Sequence, residues 1–273
     1  MNKLMRESGA LLFAVVLAAT LLSLPPVVLG AGPVPGPMPG VAAQAEGENA
    51  AAHDVAARLG AKRFSNVKVS AEDGIATLTG SVDLYEYKVD AGNRALHTKG
   101  ISAVRNDIEV AGPGVPDSEI EKKLGEQLAY SREGYGNVFD AITLQVQDGV
   151  VTLGGHAHDY PSRDAAVALA STTPGVKDVI DEIEVDPVST VDWGIRMQVA
   201  RAIYGYPALN KYAIDPIRPI RISVQNGNVE LYGTVDSAAD KNIAYLRANS
   251  VPGVFSVKNY LQVAGQPPTP PGK

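Results

Sequence analysis

Cysteine is absent from the 273 residues. That excludes a disulfide framework, a thiolate metal site, a cysteine nucleophile and an N-terminal lipid-modified cysteine. Tryptophan occurs once, histidine four times, and acidic residues outnumber basic ones 30 to 24. A net charge of -6 makes the chain as a whole a poor ligand for nucleic acid, because phosphate binding depends on Lys and Arg displacing counterions. What is present is 45% apolar, the composition of globular material, and the length calls for two or more domains.

A single long apolar run stands at the start. Lys3 and Arg6 precede the stretch from Ala10 to Leu24, interrupted only by Thr20 and Ser23, and Pro25 and Pro26 end it. A membrane-spanning helix needs about 20 apolar residues; a secretory core of roughly 7 to 15 residues behind a basic start fits better. Residues 1–30 are read as a signal peptide cut between Gly30 and Ala31, with an uncleaved anchor as the alternative. Residues 31–49, crowded with Pro33, Pro35, Pro37 and Pro39, read as an extended spacer, and residues 265–273 as a flexible tail.

Between these tails the chain repeats itself. Gly74, Gly80 and Gly100 return as Gly149, Gly155 and Gly175 and again as Gly227, Gly233 and Gly253 at fixed spacing. Before the first glycine of each set a strand alternates apolar with polar residues, through Val67 and Val69, Ile142 and Leu144, or Ile220 and Ile222. It enters Asp73-Gly74, Asp148-Gly149 or Asn226-Gly227, pairs that tolerate the positive φ of a two-residue hairpin. The inward glycine of the returning strand points either to a helix backbone lying close on the sheet or to a bulge. A helix follows with alanines four apart (Ala91 and Ala95, Ala166 and Ala170, Ala244 and Ala248), and a third strand closes each copy. With an amphipathic helix upstream, the order per copy is helix, strand, strand, helix, strand. The fold class is therefore α+β: three tandem modules at 50–112, 117–186 and 188–264, each with two helices on a three-stranded sheet.

Gly175-Val176-Lys177-Asp178-Val179 and Gly253-Val254-Phe255-Ser256-Val257, with Gly100-Ile101-Ser102-Ala103-Val104 in copy one, open the third strands. With the element order and the second-strand glycine, they resemble the BON modules of exported bacterial envelope and osmotic-stress proteins. The resemblance runs from Ala50 to Gly265 and implies a non-enzymatic module that associates with phospholipid surfaces or envelope proteins. Three copies and no lipidation cysteine depart from two-copy lipid-anchored members and leave the anchoring mode open.

Chemistry is sparse. His156-Ala157-His158-Asp159 is the one metal-like cluster, since alternate residues of a strand point the same way; a solvated strand end is the simpler reading. No nucleophile elbow, phosphate loop or metalloprotease helix appears, so no catalytic residue, metal or cofactor is assigned. Charge is uneven: copy one is neutral, copy two carries 5 basic and 14 acidic residues, and copy three carries 8 and 5.

Copy three is thus the positive end. Its first helix, about Val191 to Tyr204, sets Trp193, Arg196, Ala200 and Tyr204 on a face away from the Ile195, Val199, Ile203 stripe. Trp and Tyr beside Arg suit a headgroup layer; the alternative is that Trp193 caps the neighbouring module and Tyr204 packs under the next loop. The insertion 205–219 holds Tyr206, Lys211, Tyr212 and Arg218 and is either a ligand loop or a compact supplementary core. Trp193, Arg196, Arg201, Tyr206, Lys211, Tyr212 and Arg218 form the candidate lipid or partner site. The expected partners are anionic phospholipid or envelope proteins, with a protein-binding scaffold as the alternative.

Overall fold

The computed structural model describes residues 39–130, 136–215 and 218–266. The apolar run at 10–24, with the signal peptide read there, lies outside them, as does the tail from residue 267. Among the described residues no helix is long and apolar enough to cross a membrane.

The first module comprises α1 (Pro39–Arg58), β1 (Val67–Glu72), β2 (Ile75–Val82), α2 (Tyr85–Leu96) and β3 (Ala103–Val110). The second has α3 (Asp117–Tyr130), a short α4 (Gly136–Phe139), β4 (Ala141–Gln147), β5 (Val150–Ala157), α5 (Tyr160–Thr172), β6 (Asp178–Asp181) and β7 (Glu184–Val185). In the third, α6 (Thr190–Tyr204) and a short α7 (Lys211–Ile214) precede β8 (Arg221–Gln225), β9 (Asn228–Tyr232) and β10 (Thr234–Val235). Helix α8 (Ala238–Asn249) and strands β11 (Ser256–Asn259) and β12 (Gln262–Val263) complete it. Helix α1 begins at Pro39, inside the stretch read as spacer.

In every module the middle strand pairs antiparallel with its hairpin partner and parallel with the strand after the helix: β1-β2-β3, β4-β5-β6 and β8-β9-β11. A parallel return needs a crossover, and α2, α5 and α8 provide it. The alanine pairs lie buried on those helices, which lets them sit close on the sheet. The hairpin turns have the expected geometry, with φ of 50°, 54° and 51° at Asp73, Asp148 and Asn226.

The second-strand glycines answer to the neighbouring strand, not to a helix. Gly80, Gly155 and Gly233 have φ of 107°, 81° and 121°, and a Cβ on them would lie 2.0, 2.1 and 2.5 Å from the carbonyl oxygens of Asn66, Ala141 and Pro219. The contact is with the start of the first strand, so the helix-approach reading is replaced by a positive-φ kink in β2, β5 and the β9–β10 junction.

Two recurring devices escape a fixed-period search. An acid of the first helix reaches the hairpin turn: Glu48, mid-way along α1, accepts from Asp73 N, and Asp117 and Asp192, in the first turns of α3 and α6, accept from Asp148 N and Gly149 N and from Asn226 N and Gly227 N. On the third strand, Asn106 and Asn259 donate to the carbonyls of Lys88 and Lys241 on the crossover helix, and Asp181 instead pairs with Arg163 of α5.

The modules have separate cores. Val55, Leu78, Ala91 and Ile108 belong to the first, Leu124, Leu153, Ala170 and Val176 to the second, and Val199, Ile203, Leu231 and Ala244 to the third. They are not sealed from one another: Phe139 of the second module is fully buried within the third core, with Val138 against it, and Tyr85 of the first module packs against the second core.

Candidate functional site

The outer face of each sheet is the one turned from its own core, and the outer faces of modules two and three meet. On β5, Val151, Leu153 and Ala157 point inward, which sends His156 and then His158 outward. On β8 the alternation puts Ile222 and Val224 in the core and Ser223 outward, yet Ser223 is buried because the second module covers it.

Asp186 sits at the centre of this junction with its side chain wholly out of solvent. It accepts from Arg196 Nη2 at 2.7 Å, Gln225 Nε2 at 2.8 Å and Ser223 Oγ at 3.1 Å, and His156 Nδ1 stands 3.6 Å away. Burial alone would raise the Asp186 pKa; the nearby His156, the hydrogen bonds from Gln225 and Ser223 and the Arg196 charge outweigh it and hold the carboxyl below its ordinary value. A few ångströms along, His158 Nδ1 lies 2.8 Å from Asp140 Oδ1, and the same oxygen accepts from His158 N. Aromatic rings close the seam: Trp193 meets Phe139 edge-on at 5.5 Å and His158 at 6.3 Å, and Tyr232 lies 6.1 Å from His156 and stacks on Tyr260 at 5.2 Å. Beside the seam opens a cleft of about 590 Å³ lined by His156, Glu184, Gln225, Asn228, Glu230 and Lys258 among others.

The residues singled out from sequence are divided by this geometry. Arg196 is 4% exposed and its guanidinium lies over the Phe139 ring, so it joins modules and is removed from the set able to meet a headgroup. Tyr212 is likewise buried: its hydroxyl donates to Asp240 and accepts from Asp236 N. The insertion is thus a compact supplementary core, with Leu209 beside Tyr212. Trp193 keeps 41% of its surface exposed while capping module two, and the Tyr204 hydroxyl donates to the Ile220 carbonyl under the following loop. Lys211 bridges Asp236 and Asp240, which raise its pKa, and Arg218 pairs with Asp215 and Asp236. Tyr206 lies against Arg247, and Arg201 is exposed on α6. His156 and His158 are not a solvated strand end, since the third module covers them. Among the described residues no group of three or more His, Asp and Glu is arranged to hold a metal ion.

A separate feature lies at the opposite end of α6 from the insertion. Val188 is 90%, Val191 71% and Phe255 86% exposed. Asp192 caps the Asn226-Gly227 turn, and Phe255 N donates to Gly227 O, so Val191 and Phe255 both border that turn at one end of module three.

Three repeated α+β modules, each a three-stranded sheet with a crossover helix, define a protein of tandem small modules. The chain belongs to the BON domain family, whose model matches residues 48–112, 116–187 and 207–265. The third match starts after α6, although α6 occupies the place of α1 and α3 in the structure. The chain is 33% identical over 161 residues to osmotically-inducible protein Y of Escherichia coli strain K12, spanning 58% of this chain and 78% of that protein. Two structures of CdsD, a structural protein of the Chlamydia trachomatis type III secretion system, align at 14% and 16% identity with TM-scores of 0.22 and 0.24. They cover 77% of this chain and 90% and 96% of their own.

Proposed function

We propose that the chain is an exported, non-catalytic protein of the bacterial envelope that serves under osmotic stress by binding surfaces through its modules. The basic start and apolar run at residues 3–24 support export, and the similarity to an osmotically inducible protein supports the stress setting. One observation carries the binding mode: Val188, Val191 and Phe255 stand in water together at one end of module three. Such a patch gains by burial in a lipid interface, about 1.5–3 kcal/mol for each large side chain fully covered. Arg201 and Arg218 are exposed toward the other end of the same module, Arg218 beside Asp215 and Asp236; an exposed positive charge adds about 1 kcal/mol where it comes beside an anionic leaflet. The second reading, a scaffold for envelope proteins, draws on the same patch.

Flotation of the mature protein with anionic and neutral liposomes separates them. The lipid reading expects binding to anionic vesicles that weakens as salt rises. Val191→Asp with Phe255→Asp should abolish it, and Arg201→Glu with Arg218→Glu should reduce it. Absence of flotation with either vesicle gives the site to a protein partner.

A further inference from the structure

The last strands of the three modules differ at one point. In the second module the strand breaks after Asp181, between β6 and β7, and in the third after Asn259, between β11 and β12. The side chain that ends each run bonds its own backbone just beyond: Ile183 N donates to Asp181 Oδ1 at 3.1 Å, and Leu261 N to Asn259 Oδ1 at 3.2 Å. A break of that kind, with an edge amide already taken, keeps an edge strand from pairing with another chain. Strand β3 carries the matching side chain, Asn106, yet runs unbroken through 8 residues from Ala103 to Val110. Asn106 Nδ2 donates to Lys88 O, and its Oδ1 is buried without a hydrogen-bond partner. The sheet order β1-β2-β3 leaves β3 at the edge. Ala103 N and Ala111 N donate to the Gly74 and Val82 carbonyls, so the odd-numbered residues bond to β2, and the N–H and C=O groups of Val104, Asn106, Ile108 and Val110 point off the edge.

We propose that β3 of the first module pairs antiparallel with β3 of a second copy of this chain, joining the two sheets into one about a two-fold axis at Asn106. Charge sets the register. With Asn106 opposite Asn106 of the second copy, Val104 and Ile108 exchange backbone bonds across the seam, Arg105 faces Asp107 of the second copy, and Asp107 faces its Arg105. Both side chains are exposed on the sheet face turned from the helices. They fall at the non-hydrogen-bonded positions, where opposed Cα atoms come to about 4.5 Å and opposite charges attract most strongly. The adjacent registers that the outward backbone groups allow set Asp107 against Asp107 or Arg105 against Arg105, and like charges directly opposite repel. Arg105-Asn106-Asp107 is thus its own complement when the strand is reversed, which favours a second copy over an unrelated extended peptide. Residues 50–112 carry no net charge, so two first modules meet without the repulsion that the acidic second module would impose.

Sedimentation equilibrium of the full mature chain is expected to show a reversible monomer–dimer equilibrium. Arg105→Asp, which places two acids opposite each other on both sides of the axis, should weaken the dimer about tenfold. Arg105→Asp with Asp107→Arg should restore it, since the pair is exchanged and not lost. The chain has no cysteine, so the register can be read directly by cross-linking. Ala103 and Glu109 are exposed, stand opposite each other in this register and lie about 20 Å apart along one strand. Ala103→Cys with Glu109→Cys should therefore give disulfide-linked dimers on mild oxidation, and neither single variant should. A chain that sediments as a monomer at every concentration overturns the proposal and leaves the edge to an extended segment of another protein. So does a dimer indifferent to Arg105→Asp, or one that the charge exchange fails to restore in a variant folded by circular dichroism. Should the charge variants misfold, the cysteine pair decides: cross-linking in the double variant alone supports the pairing, and its absence, or equal cross-linking in the single variants, overturns it.

Discussion

Arg196 shows how one side chain can serve a different purpose from the one its helix position advertises. Its charge is spent on Asp186, which has no contact with water. A buried carboxylate deprived of its cation costs far more than an exposed one, about 3–5 kcal/mol. Arg196→Leu should lower the unfolding free energy of the full chain by about that amount, read by urea denaturation, whereas Arg201→Leu should leave it nearly unchanged. Gly155 is constrained just as tightly by its backbone. With φ of 81° and a carbonyl 2.1 Å from where a Cβ would stand, Gly155→Ala should destabilise the second module by about 1–3 kcal/mol. Unaltered thermal melting of that variant would mean the strand can kink back. The glycine itself was plain in the sequence because it recurs at a fixed offset; what it touches was not, since a missing side chain says nothing about which neighbour took the space.

The elements were the most legible level. Turn residues, alternating strands and alanine pairs at helical spacing each carry their geometry in a window of a few residues, and all three copies present them. Devices that link distant parts of a module were hidden. The acid that caps the hairpin sits 25, 31 and 34 residues before its turn in Glu48–Asp73, Asp117–Asp148 and Asp192–Asn226. The insertions holding α4 and α7 spoil the period. Each carboxylate satisfies turn amides that a tight hairpin leaves pointing outward, which fixes the first helix to the sheet it covers. Asp192→Ala should therefore cost about 1–3 kcal/mol, more than Glu48→Ala, because Glu48 holds one amide and Asp192 holds two. Amide exchange at Gly227 is the direct measure. A rate at Gly227 no faster than in the native chain would show that another group takes over the turn.

At the scale of the whole chain, repeats of about 65 to 80 residues are small enough that neighbours are expected to pack on one another. Asp186, at the division between the last two, is the hub of their union. Sequence patterning reports which face of a strand meets its own core. It is silent on which outer face meets another module, because polar residues suit water and a satisfied polar seam equally well. The site was obscured for that reason: Trp193 and Arg196 form a convincing headgroup motif until the second module is seen against them. The pH dependence follows from the same seam. Asp186, held low, stabilises above its ordinary value of 3.8, an effect lost only as pH falls further, and the raised histidines stabilise below 6.5. The melting temperature of the full chain should accordingly be highest between about pH 4 and 6.5 and decline on the alkaline side first. A flat profile from pH 5 to 8 would contradict this.

Phe139 carries the union one step further, into the way the chain can be divided. It is supplied by the second module and lies at the centre of the third core, under the guanidinium of Arg196. A gene fragment starting at residue 188 therefore encodes a protein with an unfilled hole the size of a phenyl ring. One ending at residue 187 exposes that ring. The repeats are alike in design but no longer interchangeable units of inheritance: Phe139 binds the last two together, and Tyr85 of the first module packs against the core of the second.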